Sequence, residues 1–176
     1  AKITIENPTD NGFIEISGWN VTNIHAYGTT APYHPEKRFP TDGTSFEWAT
    51  SEDFVTIPNN RAKLSDIVDV NTKPEEYIFE HENSFYDPVN VIIKGKPVGS
   101  NEELYYRVMI IDEVGEQLMI RRNHHYKLNI TGRLTYGSKT FEEALTAPAT
   151  NNIWVAVADW VNEVSYNGVT LSVDET

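Results

Sequence analysis

Within Arg121-Arg122-Asn123-His124-His125-Tyr126-Lys127-Leu128-Asn129-Ile130-Thr131-Gly132, Tyr126, Leu128 and Ile130 alternate with Lys127, Asn129 and Thr131. A period of two places all three apolar residues on one side of an extended strand, whereas a helix would spread them around its circumference. The segment is therefore a strand with one buried face, and the chain must supply something to cover it.

The same pattern recurs along the chain. Ile3 and Ile5 alternate with polar neighbours, and a longer run carries Ile14, Ile16, Trp19 and Val21, with Gly18 inside it where a bulge or close backbone approach is expected. Residues 76–82 and 89–96 read as two further strands. Leu104, Tyr106, Val108 and Ile110 share one face of a strand, and the turn residues Glu113-Val114-Gly115-Glu116 lead into 117–121, which predicts a hairpin. Residues 152–162 return to strand with both faces apolar, as expected for a strand covered on both sides. Asn167-Gly168, between Val164-Ser165-Tyr166 and Val169-Thr170-Leu171, supplies the positive φ angles of a tight two-residue turn. The one helix signal is a capping box, Thr140 followed by Glu143, with Pro148 ending the helix soon after. Many short strands and one brief helix predict an all-β sandwich over 1–176, read as a single domain. The predicted core includes Ile16, Val108, Ile110, Tyr126, Leu128, Ile130 and Val155. The stretch 26–60 is rich in Pro, Gly and Thr but also in aromatics, so it reads as a long ordered loop rather than a disordered tract.

Charge narrows the function. With 26 acidic residues against 14 basic ones the formal net charge is -12, which opposes a nucleic-acid partner and a polybasic membrane patch alike. There is no cysteine, so neither a disulfide framework nor a thiolate site is possible. No apolar run approaches the roughly 20 residues of a membrane helix.

Residues able to carry chemistry are scattered. His124 and His125 are adjacent on a strand and point to opposite faces, and His25 and His34 lack an acidic ligand at a recognisable spacing. In Glu80-His81-Glu82 the two carboxylates share one face and the imidazole takes the other. These histidines are read as ordinary surface residues, with no metal. The acidic pairs Glu75-Glu76, Glu102-Glu103, Asp112-Glu113 and Glu142-Glu143 fall at strand ends and turns, where solvated charges lie. A glycosidase would need one carboxyl raised by an apolar pocket. No nucleophile motif, phosphate loop or zincin motif is present. The expectation is a protein that is not an enzyme and uses no cofactor. Tyr33 and Trp48, in the long loop, are candidate ligand-contact aromatics able to stack on sugar rings, so a non-catalytic carbohydrate-binding module is the rival reading.

Several segments resemble a known family. A strand entered through Arg122-Asn123-His124-His125-Tyr126 and left through Thr131-Gly132 is similar to the penultimate core strand of Bacteroidetes-type fimbrillins, the pilus subunits of type V fimbriae. The resemblance extends to Ala1-Lys2-Ile3 with Phe13-Ile14-Glu15-Ile16, to Tyr77-Ile78-Phe79-Glu80-His81-Glu82-Asn83, to Val91-Ile92-Ile93-Lys94-Gly95 with Tyr105-Tyr106-Arg107-Val108, and to Trp154-Val155-Ala156-Val157-Ala158-Asp159-Trp160. It implies an antiparallel β-sandwich of transthyretin-like, Greek-key type, corresponding to the C-terminal domain of such a subunit. A whole fimbrillin carries a lipoprotein signal and an N-terminal β domain ahead of the segment matching Ala1, so processing or truncation is expected here. The resemblance further implies a cell-surface location, outer-membrane passage during assembly, and other fimbrial subunits as partners, with adhesion to host or bacterial surfaces. Assembly in the family proceeds by donor-strand exchange, a form of strand addition. The segment expected to take part is 166–174, with Tyr166, Val169, Leu171 and Val173 as its polymerisation residues.

Overall fold

The computed structural model describes residues 1–6, 8, 12–26, 28, 61–121, 123–132, 134 and 136–150, together with the backbone of three strands beyond them. The strands are β1 (Lys2–Ile5), β2 (Ile14–Thr22), β3 (Val68–Asp69), β4 (Glu75–Tyr77), β5 (Asn90–Pro97), β6 (Leu104–Met109), β7 (His124–Ile130), β8 (Ile153–Asp159), β9 (Val164–Tyr166) and β10 (Val169–Leu171), with helix α1 (Phe141–Thr146) between β7 and β8. They form two four-stranded sheets, ordered β4-β1-β7-β8 and β3-β2-β5-β6, and a two-stranded β9-β10 ribbon. The all-β sandwich expected from the alternation is the architecture observed.

One pairing departs from a wholly antiparallel design. β1 lies antiparallel to β4 but parallel to β7, with Ile3 opposite Tyr126 and Ile5 opposite Leu128. A parallel pair needs a long crossover, and here the chain between β1 and β7 builds the whole second sheet before returning. That pairing is non-local, and strand alternation carries no information about it.

The core lies between the sheets. Ile3, Ile5, Tyr126, Leu128 and Ile130 come from one, and Ile14, Ile16, Trp19, Val91, Tyr106 and Val108 from the other. Every predicted core residue within the described side chains is buried; the side chain of Val155 lies outside them. The register of β2 against β5 shifts between Ile16 and Gly18. This bulge changes the parity of the strand, so that Ile14 and Ile16 before it and Trp19 and Val21 after it all face the core. Gly18 is required there because a Cβ would stand 2.6 Å from the Val68 carbonyl oxygen.

The outer face of the second sheet is covered by α1. Ile92 packs there against Phe141 and Ala144, which explains the unbroken Val91-Ile92-Ile93 run: neighbouring residues are buried on opposite faces. Thr140 caps the helix, its hydroxyl accepting from the Glu143 N–H at 3.2 Å. The reciprocal bond of a capping box is displaced by one residue, since Glu143 Oε2 accepts from the Lys139 N–H at 3.0 Å.

Two predicted elements are shorter than expected. The 76–82 strand is reduced to β4, followed by a single bridge from His81 to Ile120. The turn after β6 is present, with the Asp112 carboxylate accepting from Val114 and Glu116 and with Gly115 at φ 92°. Its second arm does not run on as a strand beside β6: after the Ile111–Gln117 bridge it leaves to pair with His81. The diversion is held by Asn83, whose buried amide donates to the carbonyls of Leu118 (2.6 Å) and Ile110 (3.3 Å).

Candidate functional site

A sandwich that assembles by strand addition needs an open sheet edge. The first sheet ends in β4, which is three residues long, and in β8, which is seven. The second ends in the two-residue β3 and the six-residue β6. The outer edge of β6 is already occupied. Tyr105 exchanges both backbone hydrogen bonds with Ser138 (2.9 and 2.8 Å), and the Arg107 carbonyl accepts from the Thr150 N–H at 2.9 Å. The segments flanking α1 therefore close this edge, a common device against unwanted pairing. β8 pairs antiparallel with β7 over its whole length, from His124 opposite Asp159 to Ile130 opposite Ile153. Among the described residues β8 has no second strand partner.

Beyond β8 stands the predicted hairpin. Tyr166 pairs with Val169, and Leu171 with Val164, the register expected for a tight turn at Asn167-Gly168. Tyr166 lies on β9, and Val169 and Leu171 on β10; Val173 falls outside the described residues. Among the described residues this ribbon is hydrogen-bonded to neither four-stranded sheet. Tyr33 and Trp48 also lie outside the described residues, as does His34.

His25 and His81 correct the expectation of surface histidines. They are 2% and 1% exposed, with ring centroids 4.4 Å apart. His25 Nδ1 donates to the Glu80 carbonyl at 2.9 Å. His81 Nδ1 accepts from the Asn83 N–H at 2.8 Å, which assigns the ring proton to Nε2, 3.6 Å from an Asp87 carboxylate oxygen. Burial and the neighbouring His25 push the His81 pKa down to about 3, with Asp87 opposing the shift. Asp87 in turn pairs with Arg61 and accepts from the Asn23 amide at 2.7 Å. The cluster ties the end of β2 to the 78–90 segment. Sequence reasoning missed it because the cluster joins three separated stretches, Asn23 and His25, Arg61, and Glu80 to Asp87, and local spacing carries no signal of their meeting. His124 and His125 are half-buried, and His125 Nε2 lies 2.8 Å from the Thr4 hydroxyl.

The acidic pairs are held in ion pairs more than the sequence suggested. Glu75 meets Lys2, Glu76 meets Lys73, and Glu103 meets Lys94 at 3.1 Å. Hydrogen bonding from Lys2 holds the Glu75 carboxyl below its ordinary value, and bonding from Ser17 and then Lys94 does the same for Glu103. A general acid needs the opposite shift. Among the described residues no group of three or more His, Asp or Glu is arranged to hold a metal ion, and no helix is long and apolar enough to cross a membrane.

No family model matches the chain, and comparison with curated proteins and with solved structures finds no match either.

Proposed function

We propose that this chain is a structural subunit of a cell-surface fimbria, joined to other fimbrial subunits by β-strand addition. The observation carrying the reading is the contrast between the two long sheet edges: β6 is closed by the backbone on either side of α1, whereas β8 pairs on one side only among the described residues. A seven-residue edge offers a row of alternating donors and acceptors to an incoming strand. The β9-β10 ribbon follows directly in the chain, and its Tyr166, Val169 and Leu171, with Val173 beyond, form the segment proposed to donate or arrange the inserted strand. In this reading the subunit comes from a lipoprotein precursor that passes through the outer membrane, carries out no catalysis and needs no cofactor.

The test is deletion of 166–176 from the full-length subunit in its native host. Folded, soluble subunits that form no surface fibres are expected, with folding checked by circular dichroism. Fibres of normal length would refute the role of this segment. Should the deletion unfold the protein, Thr170→Pro supplies the second arm, since proline removes a backbone donor from β10 while leaving the chain length unchanged.

A further inference from the structure

On the outer face of the second sheet, beside α1, lies a cavity of about 540 Å³, within the roughly 300–1,000 Å³ typical of small-molecule sites. Its charge is the reverse of the molecule's. Among the described residues Arg61, Lys63, Lys73 and Arg107 line it against one carboxylate, Glu76, in a chain whose acidic residues outnumber its basic ones by 26 to 14.

Two of these cations are already balanced, Arg61 by Asp87 and Lys73 by Glu76. Burial pushes the Lys73 ammonium below its ordinary value. Lys63 and Arg107 have no carboxylate partner among the described residues. Arg107 is held in place by Nε donating to Asn90 Oδ1 at 2.9 Å and Nη1 donating to the Ala147 carbonyl at 3.0 Å. Its Nη2 has no partner among the described residues and is left as a charged donor suited to a carboxylate.

The remaining walls are neutral and polar. The Asn20 amide, 2% exposed, donates to the Ser65 and Asp66 carbonyls at 2.9 and 3.0 Å and so fixes the segment carrying Lys63 against the sheet. Asn23 is anchored through its amide nitrogen to Asp87 and the Pro88 carbonyl, so its oxygen and the Thr22 hydroxyl are left as acceptors along the same wall. Preorganised amide and hydroxyl groups beside a guanidinium match hydroxyls beside a carboxylate. With two uncompensated cations in a molecule of net charge -12, the site suits a small anion of low charge rather than a polyanion.

We propose that this cavity binds a sugar acid, a single-ring polyhydroxylated carboxylate, with Arg107 and Lys63 on the carboxylate and Asn23 and Thr22 on the hydroxyls. The proposal is independent of how the chain assembles.

The whole chain is titrated calorimetrically with glucuronate, with glucose and inorganic phosphate as parallel arms. Saturable glucuronate binding is expected, weakening with added salt, with both other ligands at least about tenfold weaker. Lys63→Glu lowers glucuronate affinity by about tenfold or more, the scale of one charge-assisted bond. It does so without moving the melting temperature, because Lys63 is exposed and makes no ion pair among the described residues. Arg107→Gln gives the same loss and is read only if its melt shows a folded protein. Absence of glucuronate binding at about 10 mM, phosphate binding as tight as glucuronate, or an unaltered affinity in Lys63→Glu each overturns the proposal.

Discussion

Asn83→Ala should be among the most damaging single changes outside the apolar core. Asn83 is 1% exposed and sits at φ 52°, in the left-handed region. Its amide nitrogen donates to the Leu118 and Ile110 carbonyls, and its amide oxygen accepts from the Val89 N–H at 2.7 Å. Ile110 keeps a second partner, the Leu118 N–H at 3.0 Å, so truncation orphans two backbone groups, the Leu118 carbonyl and the Val89 N–H. Each orphaned buried group costs about 1–3 kcal/mol, and an alanine in the left-handed region adds about 1 kcal/mol. The expected loss is about 4 kcal/mol, equivalent to a fall in melting temperature of roughly 8–16 °C for a domain of this size. Asn123→Ala supplies the control. Asn123 has nearly the same backbone, φ 58°, but an exposed side chain, so its substitution reads the conformational cost by itself, about 1 kcal/mol. Urea denaturation followed by far-ultraviolet circular dichroism measures both. Equal losses in the two variants would refute the claim that the Asn83 amide holds the 117–120 arm against the 83–89 segment.

Stability should fall as pH drops from 6.5 towards 3. The folded state holds His81 neutral over that window while the unfolded chain takes up a proton, so protonation favours unfolding with a limiting slope of about 1.4 kcal/mol per pH unit; His81→Gln should flatten this dependence in denaturant titrations, and an unchanged slope would contradict the assignment. Gly18→Ala should cost about 1–3 kcal/mol, because its Cβ meets the Val68 carbonyl and Ile67 at the bulge, and a melt at the parent temperature would show that β3 simply moves aside. Thr140→Ala should cost about 1 kcal/mol through loss of the α1 cap, with Thr140→Ser close to the parent in the same thermal scan.

Alternation alone determined much of this protein. The buried faces at Tyr126, Leu128 and Ile130 and at Tyr106, Val108 and Ile110 follow from a period of two, and the Thr140 cap and the register of the β9-β10 ribbon follow from residues acting on their own stretch of backbone. Those causes span a few residues, which is why a linear reading captures them. The parallel union of β1 with β7, the closure of the β6 edge by Ser138 and Thr150, and the burial of His25 against His81 were decided only when distant segments packed together. The same holds for the candidate site. The aromatics that the sequence pointed to, Tyr33 and Trp48, lie within one short stretch of sequence, whereas Lys63, Arg107 and Asn23 come from three separated stretches. Those three share a wall because β2 and β6 both pair with β5 in register and because the Asn20 amide holds the segment carrying Lys63 against β2. Backbone pairing fixes which side chains become neighbours, and in a sandwich most of those neighbours are remote in sequence.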